Sequence, residues 1–157
     1  VGEPQSGGRG KVLGGSSAVN GMVYMRGMRE DFDAWAAECP GWSFDDVLPY
    51  FMKSEDLDGP PSPVHGRGGA LAVSTGRARH HLTEVFVDAC DEIGFPRRTE
   101  YCGGDQSGSF FLYSTMNRRG LRADTYTSFL RRAMKRPNLE VRTGLMATRL
   151  APQDERV

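Results

Sequence analysis

Gly10-Lys11-Val12-Leu13-Gly14-Gly15-Ser16-Ser17-Ala18-Val19-Asn20-Gly21-Met22-Val23-Tyr24-Met25-Arg26-Gly27 is the stretch on which the reading of this chain turns. Paired glycines let backbone N–H groups come close to an anion, the two serines add hydroxyl donors, and Arg9 and Lys11 add positive charge. A phosphate or pyrophosphate suits such a loop. The familiar phosphate motifs nevertheless fail here. A P-loop needs Gly where Gln5 stands and Ser or Thr where Val12 stands; a GxGxxG begun at Gly8 ends on Leu13; and a GxSxG elbow around Ser17 fails at Val19. On the residues alone, an anion-binding loop and a purely structural glycine turn stay equally open.

Working outward, the 157 residues carry 20 Lys and Arg against 20 Asp and Glu. There is no basic excess to drive binding to a nucleic-acid backbone, so nucleic acid is set aside as a partner. The longest uncharged run, Val12 to Met25, is full of Gly and Ser and is no transmembrane segment. The first residues, Val1-Gly2-Glu3-Pro4, show neither a signal peptide nor a natural start, so the chain reads as a piece of something longer. Cys39, Cys90 and Cys102 are spaced for neither a disulfide framework nor a CxxC zinc pattern, which favours a reducing compartment and no metal.

The coarse element pattern is mixed. Phe32, Trp35 and Ala36 mark a helix over 29–38; Pro40-Gly41 breaks it, and Ser43 with Asp46 is a capping-box start for a helix through Lys53, with Pro49 awkwardly inside. Gly59 to Gly69 reads as a turn-rich crossing between domains and Ala70 to Ser74 as a strand. Leu82, Val85, Phe86, Ala89, Cys90 and Ile93 form one apolar stripe of an amphipathic helix closed by Gly94 and Pro96. Ser109 to Met116 reads as a strand covered on both faces, and Tyr126, Phe129, Leu130 and Ala133 as a helix capped by Asp124. Two strands are expected after it, at about 139–143 and 146–150.

The stretch from Gly10 to Gly27 resembles the first signature of the glucose-methanol-choline family of flavin-dependent oxidoreductases. The resemblance continues through Asp31-Phe32-Asp33-Ala34-Trp35 and through Gly41-Trp42-Ser43-Phe44-Asp45-Asp46-Val47-Leu48-Pro49-Tyr50-Phe51. It reappears in order at Gly69 to Ser74, at Gly94-Phe95-Pro96, after Gly108 and at Arg136 to Gly144, so it covers nearly the whole chain, and the choline-dehydrogenase-like branch looks nearest. It implies an α/β (α+β overall) chain: part of a Rossmann-type FAD-binding domain interleaved with part of an antiparallel-sheet substrate domain. Residues 1–60 and 119–157 would belong to the flavin side and 61–118 to the substrate side.

The resemblance also implies oxidation of an alcohol such as choline by hydride transfer to the flavin N5, with oxygen or a quinone as the electron acceptor. Carried over by position, Val12, Gly14, Gly15, Ser16 and Ser17 would lie along FAD, and Asn20, Gly21, Met22 and Val23 beside its pyrophosphate and ring. Ala147 would touch the adenine end, where the family usually has Val. Some members tether FAD through a His just before the Asn; Val19 stands there, which implies dissociable FAD. The family's strand-GxGxxG-helix unit and its catalytic His pair have no counterpart in this chain. No catalytic residue is therefore assigned, and the chain alone is expected to bind FAD weakly or not at all and to show no turnover.

Other residues have plainer readings. His65, His80 and His81 fall in a linker and at a helix start and read as surface histidines. Ser16 and Ser17 lack a base at nucleophile spacing, while Trp35, Trp42, Phe110, Phe111 and Tyr113 read first as packing residues. Arg131, Arg132, Lys135 and Arg136 suit a solvated helix C-terminus. Two rivals to the enzyme reading are a non-catalytic scaffold relic of the same fold and an anion-binding module unrelated to flavin. Cytoplasm is the expected location, with the mitochondrion or a peripheral place at the inner membrane as the alternative.

Overall fold

The computed structural model describes residues 7–76 and 79–149. Its centre is a four-stranded mixed sheet made of β1 (Val23–Tyr24), β2 (Glu55–Asp58), β3 (Leu71–Thr75) and β4 (Tyr113–Ser114), in the order β1-β4-β3-β2. β4 runs antiparallel to both neighbours, while β2 and β3 are parallel, with Glu55 opposite Leu71 and Asp58 opposite Ser74. A parallel pair cannot be closed by a tight turn. The Pro- and Gly-rich stretch after Asp58 makes the return, and it lays β3 beside β2 in the same sheet.

Two of its glycines are sterically required. A Cβ on Gly66 would collide with the Met52 carbonyl, and one on Gly69 with the Ser54–Glu55 backbone, so the return loop lies directly on the end of the preceding helix. Side chains alternate along β2, burying Glu55 and Leu57. With Tyr24, Val73, Tyr101, Cys102 and Tyr113, Leu57 forms the apolar core.

Helices α1 (Arg29–Ala36) and α2 (Phe44–Ser54) form a hairpin beside the sheet. Phe32 sits at its centre, with ring centroids 5.7 Å from Trp35, 6.1 Å from Phe44 and 5.8 Å from Phe51. Phe44 is fully buried, a contribution of about 1.5–3 kcal/mol for a side chain of this kind. The expected capping box is present: Asp46 N donates to Ser43 Oγ and Ser43 N donates to Asp46 Oδ2. Pro49 lies beyond the first turn, yet the helix runs through it to Ser54 on an exposed side, where water can satisfy the carbonyl left without its N–H.

Helix α3 (His81–Glu92) forms where the apolar period places it, but the stripe is not core-facing. Leu82, Val85, Phe86 and Ile93 are exposed, and Val87 from another face is buried instead. Periodicity fixes which residues share a face, not which face meets a partner.

The expected strand over 109–116 shrinks to β4. Phe110 leaves the ladder to stack on Tyr101 at 4.2 Å, and Arg79 covers Phe111 at 4.0 Å. The last helical region is a π-helical turn, Tyr126–Leu130, leading into α4 (Arg131–Ala133), and Thr127 N donates to Asp124 Oδ1 as the cap predicted. Among the described residues no strand forms at 139–143 or 146–149, because no neighbouring strand offers a ladder there; residue 150 lies outside the described residues. No helix among the described residues is long and apolar enough to cross a membrane.

Candidate functional site

The glycine loop is a built structure. Gly14 and Gly15 take positive φ of 93° and 55°, conformations that side chains resist, and so open a 3₁₀ turn over Gly15–Ala18. Gly15 N donates to Val12 O at 2.9 Å and Asn20 N to Ser16 O at 2.9 Å.

Contacts from far along the chain hold it. Ser17 Oγ donates to Gly14 O at 2.5 Å and accepts from Thr125 N at 2.9 Å, while Thr125 Oγ1 donates to Gly14 O at 3.1 Å. Arg122 Nη1 reaches Asn20 O at 2.8 Å, Asn20 Oδ1 at 2.7 Å and Ser17 O at 3.2 Å. Met22 follows at φ 61°, the one non-glycine described residue with positive φ. Met22 N donating to Asn20 Oδ1 and Thr115 N donating to Met22 O keep it there. Such strain costs about 1–3 kcal/mol and persists only where surroundings over-determine it.

The structure thus brings Val12, Gly14, Gly15, Ser16, Ser17, Asn20, Gly21, Met22 and Val23 into one continuous loop leading into β1. The Ser17 hydroxyl is spent inside the loop, and Ser16 Oγ accepts from Gly10 N at 3.2 Å. The outward surface comes from exposed Val12, Val19 and Val23 and from Gly15 and Gly21, where an added Cβ would meet nothing within 4 Å. Ala147 lies exposed on the coil after Gly144, and no hydrogen bond among the described residues ties it to this loop. Arg122 and Thr125 carry the loop's geometry without any local pattern to flag them.

Beneath β1 lies a polar core. Arg26, Glu55 and His65 are buried. Arg26 Nη2 pairs with Glu55 Oε2 at 2.8 Å, and Arg26 Nη1 donates to Val64 O at 2.7 Å and Cys102 O at 3.3 Å. His65 Nδ1 meets both Glu55 oxygens at 2.8 and 3.0 Å. On the other side of the ring, Nε2 lies 2.8 Å from Glu100 Oε2, an ion contact without hydrogen-bond geometry.

Burial works against a charge on His65, but Glu100 and Glu55 outweigh it and push the imidazole up to about 9. Burial likewise opposes the Glu100 charge, and the His65 contact overcomes it, holding that carboxyl below its usual range. Burial, helped by the Glu100 and Glu55 charges and opposed by Arg26, drives the Cys102 thiol up to about 12. The reading of His65 as a surface histidine is therefore corrected. A ring between two carboxylates is paid for by its partners, and neither is near it in sequence. His80 and His81 are exposed as expected, and His80 Nδ1 accepts from Leu82 N at the start of α3.

A sequence model of the GMC oxidoreductase family matches residues 5–157. The oxygen-dependent choline dehydrogenase of Photobacterium profundum is 40% identical over 151 residues, which is 90% of this chain and 25% of that protein. The glucose dehydrogenase [FAD, quinone] of Drosophila melanogaster is 41% identical over 146 residues, 90% of this chain and 23% of that protein. Among solved structures, an FAD-dependent oxidoreductase from Chaetomium thermophilum superposes with a TM-score of 0.75 at 33% identity, over 83% of this chain and 25% of its own. The chain spans about a quarter of the length of the curated relatives it matches. Sequence order, sheet and pinned loop agree with a match that runs almost end to end: the chain belongs to the GMC oxidoreductase family.

Proposed function

We propose that the loop from Val12 to Val23 is an FAD cradle in a protein that oxidises the CH–OH group of a small alcohol such as choline and passes the electrons to oxygen or a quinone. The observation that carries this reading is the loop itself. Its glycine faces at Gly15 and Gly21 are open, its serine and asparagine side chains are engaged by hydrogen bonds to the loop, Thr125 and Arg122, and Arg122 fixes its shape. A long flat cofactor fits such a surface, because backbone can approach it where no Cβ intervenes. When bound, FAD supplies the hydride acceptor. This chain's residues bind and orient it: Val12, Gly14, Gly15, Ser16 and Ser17 along its length, Asn20 to Val23 towards the ring, and Ala147 at the adenine end.

The cofactor is held without a covalent bond, since the exposed Val19 side chain has no nucleophile to offer. Acid precipitation of the flavin-loaded protein tests both points: a white pellet with FAD in the supernatant supports them, and a yellow pellet overturns dissociable binding. The general base comes from outside the described histidines, because His65 is committed to two carboxylates. Within this reading residues 1–60 and 119–157 serve the flavin side and 61–118 the substrate side, and the protein works in the cytoplasm.

A further inference from the structure

We propose that His65 Nε2, Glu100 Oε2 and Cys102 Sγ form a binding site for one zinc-class divalent cation, separate from the flavin loop and independent of its assignment. The three donor atoms all lie within 4.8 Å of one another. The His65 ring is almost wholly buried, and its Nε2 makes no hydrogen bond, although a carboxylate oxygen stands 2.8 Å away. At that distance the two atoms form an ion pair, and a cation entering between them would take the place of the imidazolium proton. Cys102 is completely buried.

The surroundings match what a metal-binding imidazole requires. A ligand histidine is oriented by a carboxylate on its other nitrogen. Glu55 occupies that place on Nδ1, and Arg26 and Gly66 N in turn hold Glu55 Oε2, each at 2.8 Å. An imidazole, a thiolate and one carboxylate form a donor set suited to zinc rather than to magnesium or calcium.

His65 and Glu100 also line a cavity of about 560 Å³ walled by Pro60, Pro63 and Tyr113, which gives an entry path and room for water as a fourth ligand. Charge balances as well. With Cys102 as thiolate and His65 neutral, a dication offsets the thiolate and Glu100, while Arg26 offsets Glu55. Binding exchanges two protons for the cation, one from the imidazolium and one from the thiol, and both leave to solvent.

Cobalt(II) added to the chelator-treated full chain, recorded as difference spectra, tests this. One equivalent is expected to bind with a thiolate-to-cobalt charge-transfer band in the near ultraviolet, and zinc is expected to bleach it. The Cys102→Ser variant, its fold checked by near-ultraviolet circular dichroism, should lose the band and bind zinc at least about tenfold more weakly, the lower end of what losing one shell contact costs. A Cys39→Ser/Cys90→Ser double variant should keep both. A wild-type chain without the charge-transfer band, or a band that survives Cys102→Ser, overturns the proposal.

Discussion

Arg26 and Glu55 meet at 2.8 Å across 29 residues of chain, both side chains out of reach of solvent. Removing one member of such a pair leaves a buried charge without compensation, which costs about 3–5 kcal/mol. Arg26→Met is therefore expected to lower unfolding free energy by roughly that amount, read as a fall in the urea midpoint. A change below about 1 kcal/mol would mean water reaches the pair.

Tyr101 is the hub of the apolar core. Its hydroxyl donates to Tyr24 O and accepts from Tyr113 N, both at 2.6 Å, and so bridges β1 and β4. Tyr101→Phe keeps the ring stacked on Phe110 but strands two buried backbone groups, for an expected loss of about 1–3 kcal/mol. Thermal unfolding of the two proteins side by side measures it.

In the chelator-treated protein, stability should depend on pH through His65. Its value in the folded state, about 9, lies above the ordinary 6.5, so its contribution is complete below pH 6.5 and is lost as pH rises through 9. The depressed Glu100 carboxyl acts oppositely: its share is present above the ordinary 4.5 and disappears as pH falls through the lowered value. Wild type should therefore lose melting temperature between pH 6.5 and 9 more steeply than His65→Gln. Parallel curves would refute the assignment.

Gly66→Ala should be far more damaging than an ordinary loop substitution, because the new Cβ falls on the Met52 carbonyl oxygen. Gly103→Ala is the control, with only Val64 side-chain atoms near it, the closest at 3.6 Å. Soluble yield and circular dichroism should separate the two variants clearly.

Arg122→Met addresses the loop. It removes the donor shared by Ser17 O, Asn20 O and Asn20 Oδ1 while leaving the outward glycine faces unchanged. In the flavin-loaded protein, FAD dissociation is expected to rise by roughly tenfold or more, the equivalent of about 1.4 kcal/mol, measured by recovery of flavin fluorescence.

How much of this was legible in the sequence depends on the range over which each feature is determined. The Ser43–Asp46 cap, helix α3 and the break at Gly94 are set within one or two helical turns, and their residues announce them. The glycine loop proposed as the cofactor cradle was legible only by its likeness to a family signature, since no general phosphate motif fits it. What holds it, Arg122 and Thr125, lies more than 100 residues away and carries no local period. The polar core was misread for the same reason: His65 looks like a loop histidine until Glu55 and Glu100 are placed on either side of it. Helix α3 shows the converse limit: its period fixes which residues share a face, and says nothing of the exposure of Leu82, Val85, Phe86 and Ile93 on that face.

The bond from Thr125 N to Ser17 Oγ spans 108 residues, and that span has a consequence during synthesis. At about 5–20 residues per second, the glycine loop leaves the ribosome roughly 5–20 s before the segment that shapes it. For that interval the strained Met22 conformation lacks the Thr115 N–H that later binds its carbonyl, and Gly14 to Val23 remains an open target for proteases and for premature ligand encounters. The loop is made about 108 residues ahead of the segment that finishes its shape.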